Sequence, residues 1–318
     1  MINDKRVLVT GGTGFVGSHV VDQLVMTGAQ VVATTIMNEP KSYFFSRHLD
    51  QKVTTAQVDV RNYEGILNLI TRFNIEYVLH LAAQPIVEVA LVDPMYTLDT
   101  NIMGTATILE ACRQVKTVRG IIVASSDKAY GKLNEGKYKE TDRLQGDHPY
   151  EVSKSAADLI CTSYVQTYGL PVVTTRFGNI YGEGDLNLSR IIPGIMKSLV
   201  HKQPLELRSD GTYVRDYLYV KDVARGYLQI MNNFDQVRGE AFNFGSKETL
   251  NVKEVIKIAE EVFRRKISVK MLSSAANEIP YQSLDFTKIN DRIKWTPKSN
   301  LKKELPSIYR WYKKMLES

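Results

Sequence analysis

The sequence predicts a doubly wound α/β fold: a parallel sheet with helices on both faces, and a smaller mixed α/β lobe beside it. Three observations predict it. Strand and helix alternate through the first half, the strand candidates are nearly unbroken apolar runs, and a glycine-rich turn joins the first strand to the first helix. The first element is Arg6–Thr10, ending at Gly11-Gly12. Residues 15–26 follow with helical spacing, Val16, Val20, Val21, Leu24 and Val25 falling on one face. Further strands are expected at residues 30–35, 53–57, 77–81, 120–124 and 171–175, and helices at 63–73, 97–113 and 150–168. Right-handed crossovers would place ligands at the carboxyl ends of the strands. After Arg176 the rhythm changes: residues 178–184 are turn-rich, Asn251 and Glu254 form a capping box, and a basic amphipathic helix covers roughly residues 301–316. The expected lobes are therefore 1–177 and 178–318.

With 318 residues the chain can bury a large core, and its 43% hydrophobic and 24% charged content is ordinary for a globular enzyme. A net charge of +6 favours anionic ligands. Lys and Arg are scattered, with no basic block and no interleaved aromatics, so the composition points to a phosphorylated small molecule and away from nucleic acid. Cys112 and Cys161 lie far apart, each in a predicted helix, and the five His residues form no HxxxH pair. Neither a disulfide framework nor a metal site is expected. No secretory segment precedes the first strand and no apolar stretch could span a bilayer, so a cytoplasmic protein without membrane partners is expected.

Gly11-Gly12-Thr13-Gly14-Phe15-Val16-Gly17 holds GxGxxG at Gly12, Gly14 and Gly17, and GxxGxxG at Gly11, Gly14 and Gly17. Context gives the pattern meaning, because it follows a strand and opens a helix, where backbone N–H groups can meet a pyrophosphate. The alternative is a glycine-rich turn without a ligand. An acidic residue some twenty positions on would bind the ribose hydroxyls of NAD. The second strand instead ends Ala33-Thr34-Thr35-Ile36-Met37, which leaves NADP open through Thr35 with Lys41 or Arg47. Asp59 is a candidate for the adenine amine, or a solvated turn residue.

The catalytic candidates are Ser126, Asp127 and Lys128 after the fifth strand, with Tyr150 and Lys154 one helical turn apart. An ammonium and a cationic nicotinamide near Tyr150 would lower its pKa toward working pH. The spacing recurs at Tyr217/Lys221 and Tyr309/Lys313, which are read as structural or surface pairs. Only Tyr150 opens a long helix between a buried strand ending in Ser125-Ser126 and another ending near Arg176.

These motifs, with His80-Leu81-Ala82-Ala83, Asn101, Arg176-Phe177-Gly178-Asn179 and Val214-Arg215-Asp216-Tyr217, resemble the extended short-chain dehydrogenase/reductases of the nucleotide-sugar epimerase and dehydratase family over nearly the whole chain. The resemblance implies a Rossmann domain over 1–177, a nucleotide-sugar lobe over 178–318, a tightly held nicotinamide cofactor, a nucleotide-diphosphate sugar and often a homodimer through two helices per subunit. It implies cofactor contacts at Gly11, Thr13, Gly14, Phe15, Val16, Gly17, Thr35, Asp59, Val60, Leu81, Ala82, Ala83, Tyr150 and Lys154. Substrate contacts are expected at Gln84, Ser126, Asn179, Arg190 and Arg215.

A 4-epimerase needs Ser126, Tyr150 and Lys154, but no acid–base pair at C5 and C6. Asp127-Lys128 is similar to the pair in 4,6-dehydratases of the CDP-glucose and inverting UDP-sugar branches. Ala82-Ala83-Gln84-Pro85, Asp93-Pro94 and Arg190-Ile191-Ile192-Pro193 are similar to CDP-glucose 4,6-dehydratases, whereas Glu88 and Tyr130-Gly131 depart from them. A 4,6-dehydratase acting on a CDP-glucose-like substrate with NAD is the expectation. A 4-epimerase is the alternative, and reductases, decarboxylating relatives and a non-catalytic binding protein stand behind both.

Overall fold

The apolar runs form one seven-stranded sheet in the computed structural model, which describes residues 2–133, 135–272 and 279–317. The strands are β1 (Arg6–Thr10), β2 (Gln30–Thr35), β3 (Thr54–Gln57), β4 (Tyr77–His80), β5 (Gly120–Ala124), β6 (Val172–Phe177), β7 (Asn179–Tyr181), β8 (Leu205–Leu207), β9 (Val214–Tyr219), β10 (Ala241–Phe244), β11 (Thr249–Asn251) and β12 (Val269–Met271). The large sheet runs β10-β6-β5-β4-β1-β2-β3, with every neighbouring pair parallel. Strand alternation splits the core in two: Val7 and Val9 face one layer with Val20, Leu24 and Tyr227, while Leu8 faces the other with Ile66, Ile108 and Cys161. β1 lies between β2 and β4, where the direction of winding reverses, and the crevice outside the carboxyl ends opens there.

The second lobe carries two small sheets, β11-β9-β7 and β12-β8. Its own core joins Ile192, Ile195 and Leu199 to Leu301, Leu305, Ile308 and Tyr312 of the last helix, Leu301–Glu317. Asn251 and Glu254 form the expected reciprocal cap. The turn-rich stretch after Arg176 includes β7, which pairs in parallel with β9 and so carries Asn179 alongside Tyr217.

Two features differ from the sequence reading. The boundary at 177/178 is not a clean cut, because β10 returns to the large sheet and pairs with β6, and residues 220–232 pack as a helix on the same core. The helix expected over 97–113 is broken by a π turn at Asp99–Met103 between Pro94–Leu98 and Gly104–Gln114. Asn101 holds that turn. Its buried amide accepts the Gln84 N–H at 2.8 Å and donates to the Gln84 carbonyl and to Ser153 Oγ. Such bulges favour the placement of one polar side chain over uninterrupted helical bonding.

Candidate active site

The carboxyl ends of the parallel strands bring together residues far apart in the chain. After β1, the turn leads into the helix Phe15–Met26, whose N-terminus at Gly14 carries no side-chain cap, so its first N–H groups face the crevice with no competing protein acceptor from that side chain. Gly11 sits at φ 64°, and a Cβ there would lie 2.9 Å from the Ala82 Cα. A Cβ at Gly17 would overlap the Gly11 carbonyl oxygen. The turn thus packs tightly on its protein side. Leu81 and Ala82, just past β4, are fixed by N–H donation to Thr10 Oγ1 at 3.1 and 3.2 Å. With both donations accepted, Thr10 Oγ1 gives its proton to His80 Nδ1 at 2.8 Å, which assigns the ring N–H to Nε2, opposite Thr105. Burial, reinforced by the Lys154 charge, holds His80 down at about 3, so it stays neutral.

Thr35 is buried at the end of β2, where it accepts the Thr13 hydroxyl at 2.9 Å and donates to the Met37 carbonyl at 2.6 Å. Its proton is therefore committed within the protein. Arg47 pairs with Asp22 at 3.6 Å, and Lys41 donates to the Met315 carbonyl. Asp59, after β3, is held by Arg61, whose guanidinium also reaches Asp99. The Arg61 hydrogen bond keeps the Asp59 carboxyl below its usual range. Val60 is buried beside it.

After β5, Ser126 caps a single turn of helix, Asp127–Tyr130, by accepting the Lys128 N–H at 3.2 Å. Its hydroxyl donates to Asp127 Oδ1 at 3.0 Å. Asp127 is 3% exposed, and burial raises its pKa above the usual carboxylate range; the charges of Lys128 and Arg215 and the Ser126 bond oppose that rise. Lys128 is half-buried, and its ammonium donates to Gln282 Oε1. Neither side chain of the pair is turned into bulk solvent.

Tyr150 and Lys154 lie one turn apart in the helix Pro149–Tyr168, and both are buried. The Tyr150 phenol is pushed up to about 12, first by burial and then by the Asp127 charge, with the Ser126 hydrogen bond and the Arg190 charge opposing. Lys154 Nζ donates to the Ala124 carbonyl at 3.2 Å. Burial lowers Lys154 itself to about 8, against the Cys161 and Asp158 charges. Loss of charge from Asp127 therefore eases ionisation of Tyr150, so the two acids are linked.

The expected substrate contacts divide. Asn179 begins β7, and its side-chain amide makes no protein hydrogen bond among the described residues. Arg215 is buried on β9, donates to the Val214 carbonyl at 2.8 Å and lies close enough to Asp127 to favour its ionised form. Arg190 is committed to Asp185 and the Ile180 carbonyl, each at 2.7 Å, although its charge still reaches Tyr150. Gln84 is bonded within the protein: Nε2 donates to Ile86 O and Thr97 Oγ1, and Oε1 accepts the Ile86 N–H. Its amide braces the loop after β4.

Two contributions were invisible in the sequence. Gln282 reaches Lys128 from the far lobe, and Tyr138, stacked on Tyr130 at 4.8 Å, lies close enough to feel the Asp127 charge. No local signal marks either residue, because each arrives through tertiary contact alone. Among the described residues, no group of three or more His, Cys, Asp or Glu side chains could hold a metal ion, and no helix is long and apolar enough to cross a membrane.

The family model described as GDP-mannose 4,6 dehydratase matches residues 8–307. The CDP-glucose 4,6-dehydratase of Salmonella typhimurium is 29% identical over 97% of this chain and 90% of its own length. Among solved structures, the UDP-glucose 4-epimerase of Thermotoga maritima, crystallised with UDP-glucose, superposes with a TM-score of 0.90 at 27% identity, covering 98% of this chain and 99% of that one. The dTDP-glucose 4,6-dehydratase of Streptomyces venezuelae, with NAD bound, gives 0.89 at 26% identity, covering 97% of each chain.

Proposed function

The chain belongs to the GDP-mannose 4,6-dehydratase family, and from that premise we propose that it converts a nucleotide-diphosphate hexose into the 4-keto-6-deoxy product with loss of water. The observation that carries this reading is Asp127, a buried carboxyl held above its usual range, in contact with Ser126 and next to Lys128. An acid that keeps its proton is what departure of a hydroxyl requires.

The turn Gly11–Gly17 fits a dinucleotide: its protein side is closed to side chains, and its helix N-terminus is uncapped. Gly11, Thr13, Gly14, Phe15, Val16 and Gly17 would hold the pyrophosphate, with Asp59 and Val60 toward the adenine and Leu81, Ala82 and Ala83 along the ribose. NAD is favoured, because Arg47 is paired with Asp22 and the S. venezuelae relative binds NAD. When bound, the nicotinamide supplies a hydride acceptor at C4 and a hydride donor at C6.

This chain's own groups do the rest. Tyr150 removes the C4 hydroxyl proton, with Lys154 one helical turn away. The resulting ketone acidifies C5–H. Lys128, as free amine, takes that proton, and the C–H electron pair becomes the C5–C6 double bond. The C6–O bond breaks with its pair, and Asp127 gives its proton to the leaving oxygen to form water; the Lys128 ammonium then returns its proton to C5, which with hydride at C6 completes the 4-keto-6-deoxy sugar. Asp127 in its protonated form also no longer raises Tyr150, so a single protonation state serves both ends of the reaction.

Arg215 and Asn179 are assigned to the diphosphate, Arg215 because its planar fork suits phosphate oxygens. A CDP-hexose is favoured on the likeness to the S. typhimurium dehydratase. A homodimer is proposed through the apolar surface of residues 87–103 and 149–168. We place the enzyme in the cytoplasm, where its two free, buried cysteines fit reducing conditions.

The test is incubation of NAD-loaded protein with CDP-, UDP-, GDP- and dTDP-glucose, read by mass spectrometry for loss of one water. The likeness to the T. maritima epimerase supports the second reading. Turnover at unchanged mass with inverted C4 would establish it, and Lys128→Met would then leave turnover intact.

A further inference from the structure

We propose that Gln282 is the positioning residue that aims the Lys128 amine, and so governs whether the oxidised sugar proceeds to elimination; this rests on the dehydratase reading above. Lys128 donates to Gln282 Oε1 across the interface between the lobes. The backbone around Gln282 is clamped from both sides. Its N–H donates to the Val214 carbonyl at 3.1 Å, and the Val214 N–H returns to Pro280 at 2.9 Å. The next residue, Ser283, accepts the Tyr138 N–H, and Ser283 Oγ and the Leu284 N–H both run to Asp216, at 2.9 and 2.8 Å. The amide is therefore delivered to one place.

Its other end shows why it is an amide. Gln282 is fully buried, and among the described residues Nε2 has no hydrogen-bond partner. A buried donor left unpaired is destabilising, and an apolar side chain of similar length would avoid that cost. Packing alone does not explain glutamine here, but a neutral acceptor for Lys128 does. A carboxylate in the same place would stabilise the ammonium and hold its proton, whereas an amide oxygen orients the nitrogen and leaves it able to exchange. Lys128 lies near enough to Asp127 and Glu151 for its charge to favour both carboxylates, Glu151 being bonded to His148 at 3.0 Å, so a neutral partner limits the negative charge around it.

The experiment compares Gln282→Met and Gln282→Glu with wild type in the full-length, NAD-loaded protein. Gln282→Met is expected to melt at or above the wild-type temperature and to oxidise C4 normally in the first turnover. Dehydration should fall roughly ten- to 100-fold, as misplacement of a reacting group does. Gln282→Glu keeps the acceptor, and its dehydration should recover as pH rises, moving the acid limb of the pH–rate profile up by about one unit. Competitive labelling of Lys128 with acetic anhydride should move the same way without any sugar present. Dehydration by Gln282→Met at the wild-type rate, parallel loss of C4 oxidation, or unmoved Lys128 labelling in Gln282→Glu would each overturn the assignment. If wild type dehydrates no nucleotide sugar, the dehydratase reading itself fails; if wild type dehydrates and Gln282→Met matches it, only the role of Gln282 falls.

Discussion

Ser126 donates its hydroxyl to Asp127 at 3.0 Å, and the Asp127 charge in turn raises the nearby Tyr150 phenol, so the acid proposed for C6 is tied electrostatically to the base proposed for C4. The position of Ser126 follows from β5, which ends at Ala124 and turns at once into the short helix that Ser126 caps. Two acids linked this way titrate together, and the consequences are measurable.

Asp127→Asn should slow dehydration and stabilise the fold. A general acid contributes about 10²- to 10⁴-fold, so loss of water should fall by that factor while C4 oxidation continues. The stability effect has a definite sign. Burial first of all raises Asp127 in the folded state, so the folded protein keeps a proton that the unfolded chain has already released. Stability therefore falls as pH rises from the unfolded carboxylate value, about 4, through the raised folded value, and stays reduced above it. Asn carries no such linkage. Melting curves from pH 4 to 8 should show the variant overtaking wild type as pH increases.

Lys154→Met should stop the first oxidation and raise stability near neutrality. Burial lowers Lys154 from 10.5 to about 8, so below pH 8 the fold carries a charge it disfavours. Between about 8 and 10.5 the unfolded chain holds a proton the folded protein has lost, and stability rises with pH. The methionine variant lacks that rise. Its advantage at pH 7 is on the order of 3 kcal/mol at most, and should vanish by pH 10.5. Chemical denaturation at pH 7 and pH 10 checks both the sign and the convergence.

Much of this site is legible in the sequence because parallel strands buried on both faces are continuous apolar runs, and their carboxyl ends collect the ligand-facing residues. Ser126, Asp127 and Lys128 follow such a run, and Tyr150 opens the next long helix. Other features depend on contacts that no local pattern encodes. The π turn around Asn101 exists because its amide is satisfied by Gln84 and Ser153, which helical periodicity cannot register. β10 joins the large sheet beside β6 from within the second half of the chain. The Tyr150 phenol is raised first by burial and then by the Asp127 charge, neither of which a Tyr-x-x-x-Lys spacing encodes.

Gly17→Ala should lose dinucleotide binding along with stability, and Gly169→Ala separates the two effects. A Cβ at Gly17 meets the Gly11 carbonyl oxygen and carbon and the Gly12 Cα, all backbone, so the turn must move. Overpacking of this kind costs about 1–3 kcal/mol. Gly169 ends the Pro149–Tyr168 helix at φ 64° with nothing within 4 Å, so alanine there pays only the left-handed backbone cost, about 1–2 kcal/mol. Both variants should melt lower than wild type, while a fluorescence titration with NAD should show lost affinity in Gly17→Ala alone.

Val92→Glu combined with Leu159→Glu should convert a dimer into monomers. Val92 is 87% exposed and Met95 71%, and Leu91, Met103 and Leu159 are exposed beside them, an apolar surface on the helical segments 87–103 and 149–168 that pack together. Exposed apolar side chains gathered on packed helical segments are the pattern of an interaction face, and such helices suit a second copy related by a two-fold axis. A stable dimer buries about 1,200–2,000 Å² in total, so two carboxylates at its centre would be desolvated without partners. Sedimentation velocity should show wild type as a dimer at micromolar concentration and the double variant as a monomer. The wild-type melting temperature should rise with protein concentration and the variant's should not. A wild-type protein that sediments as a monomer at every concentration would leave this face without the partner assigned to it.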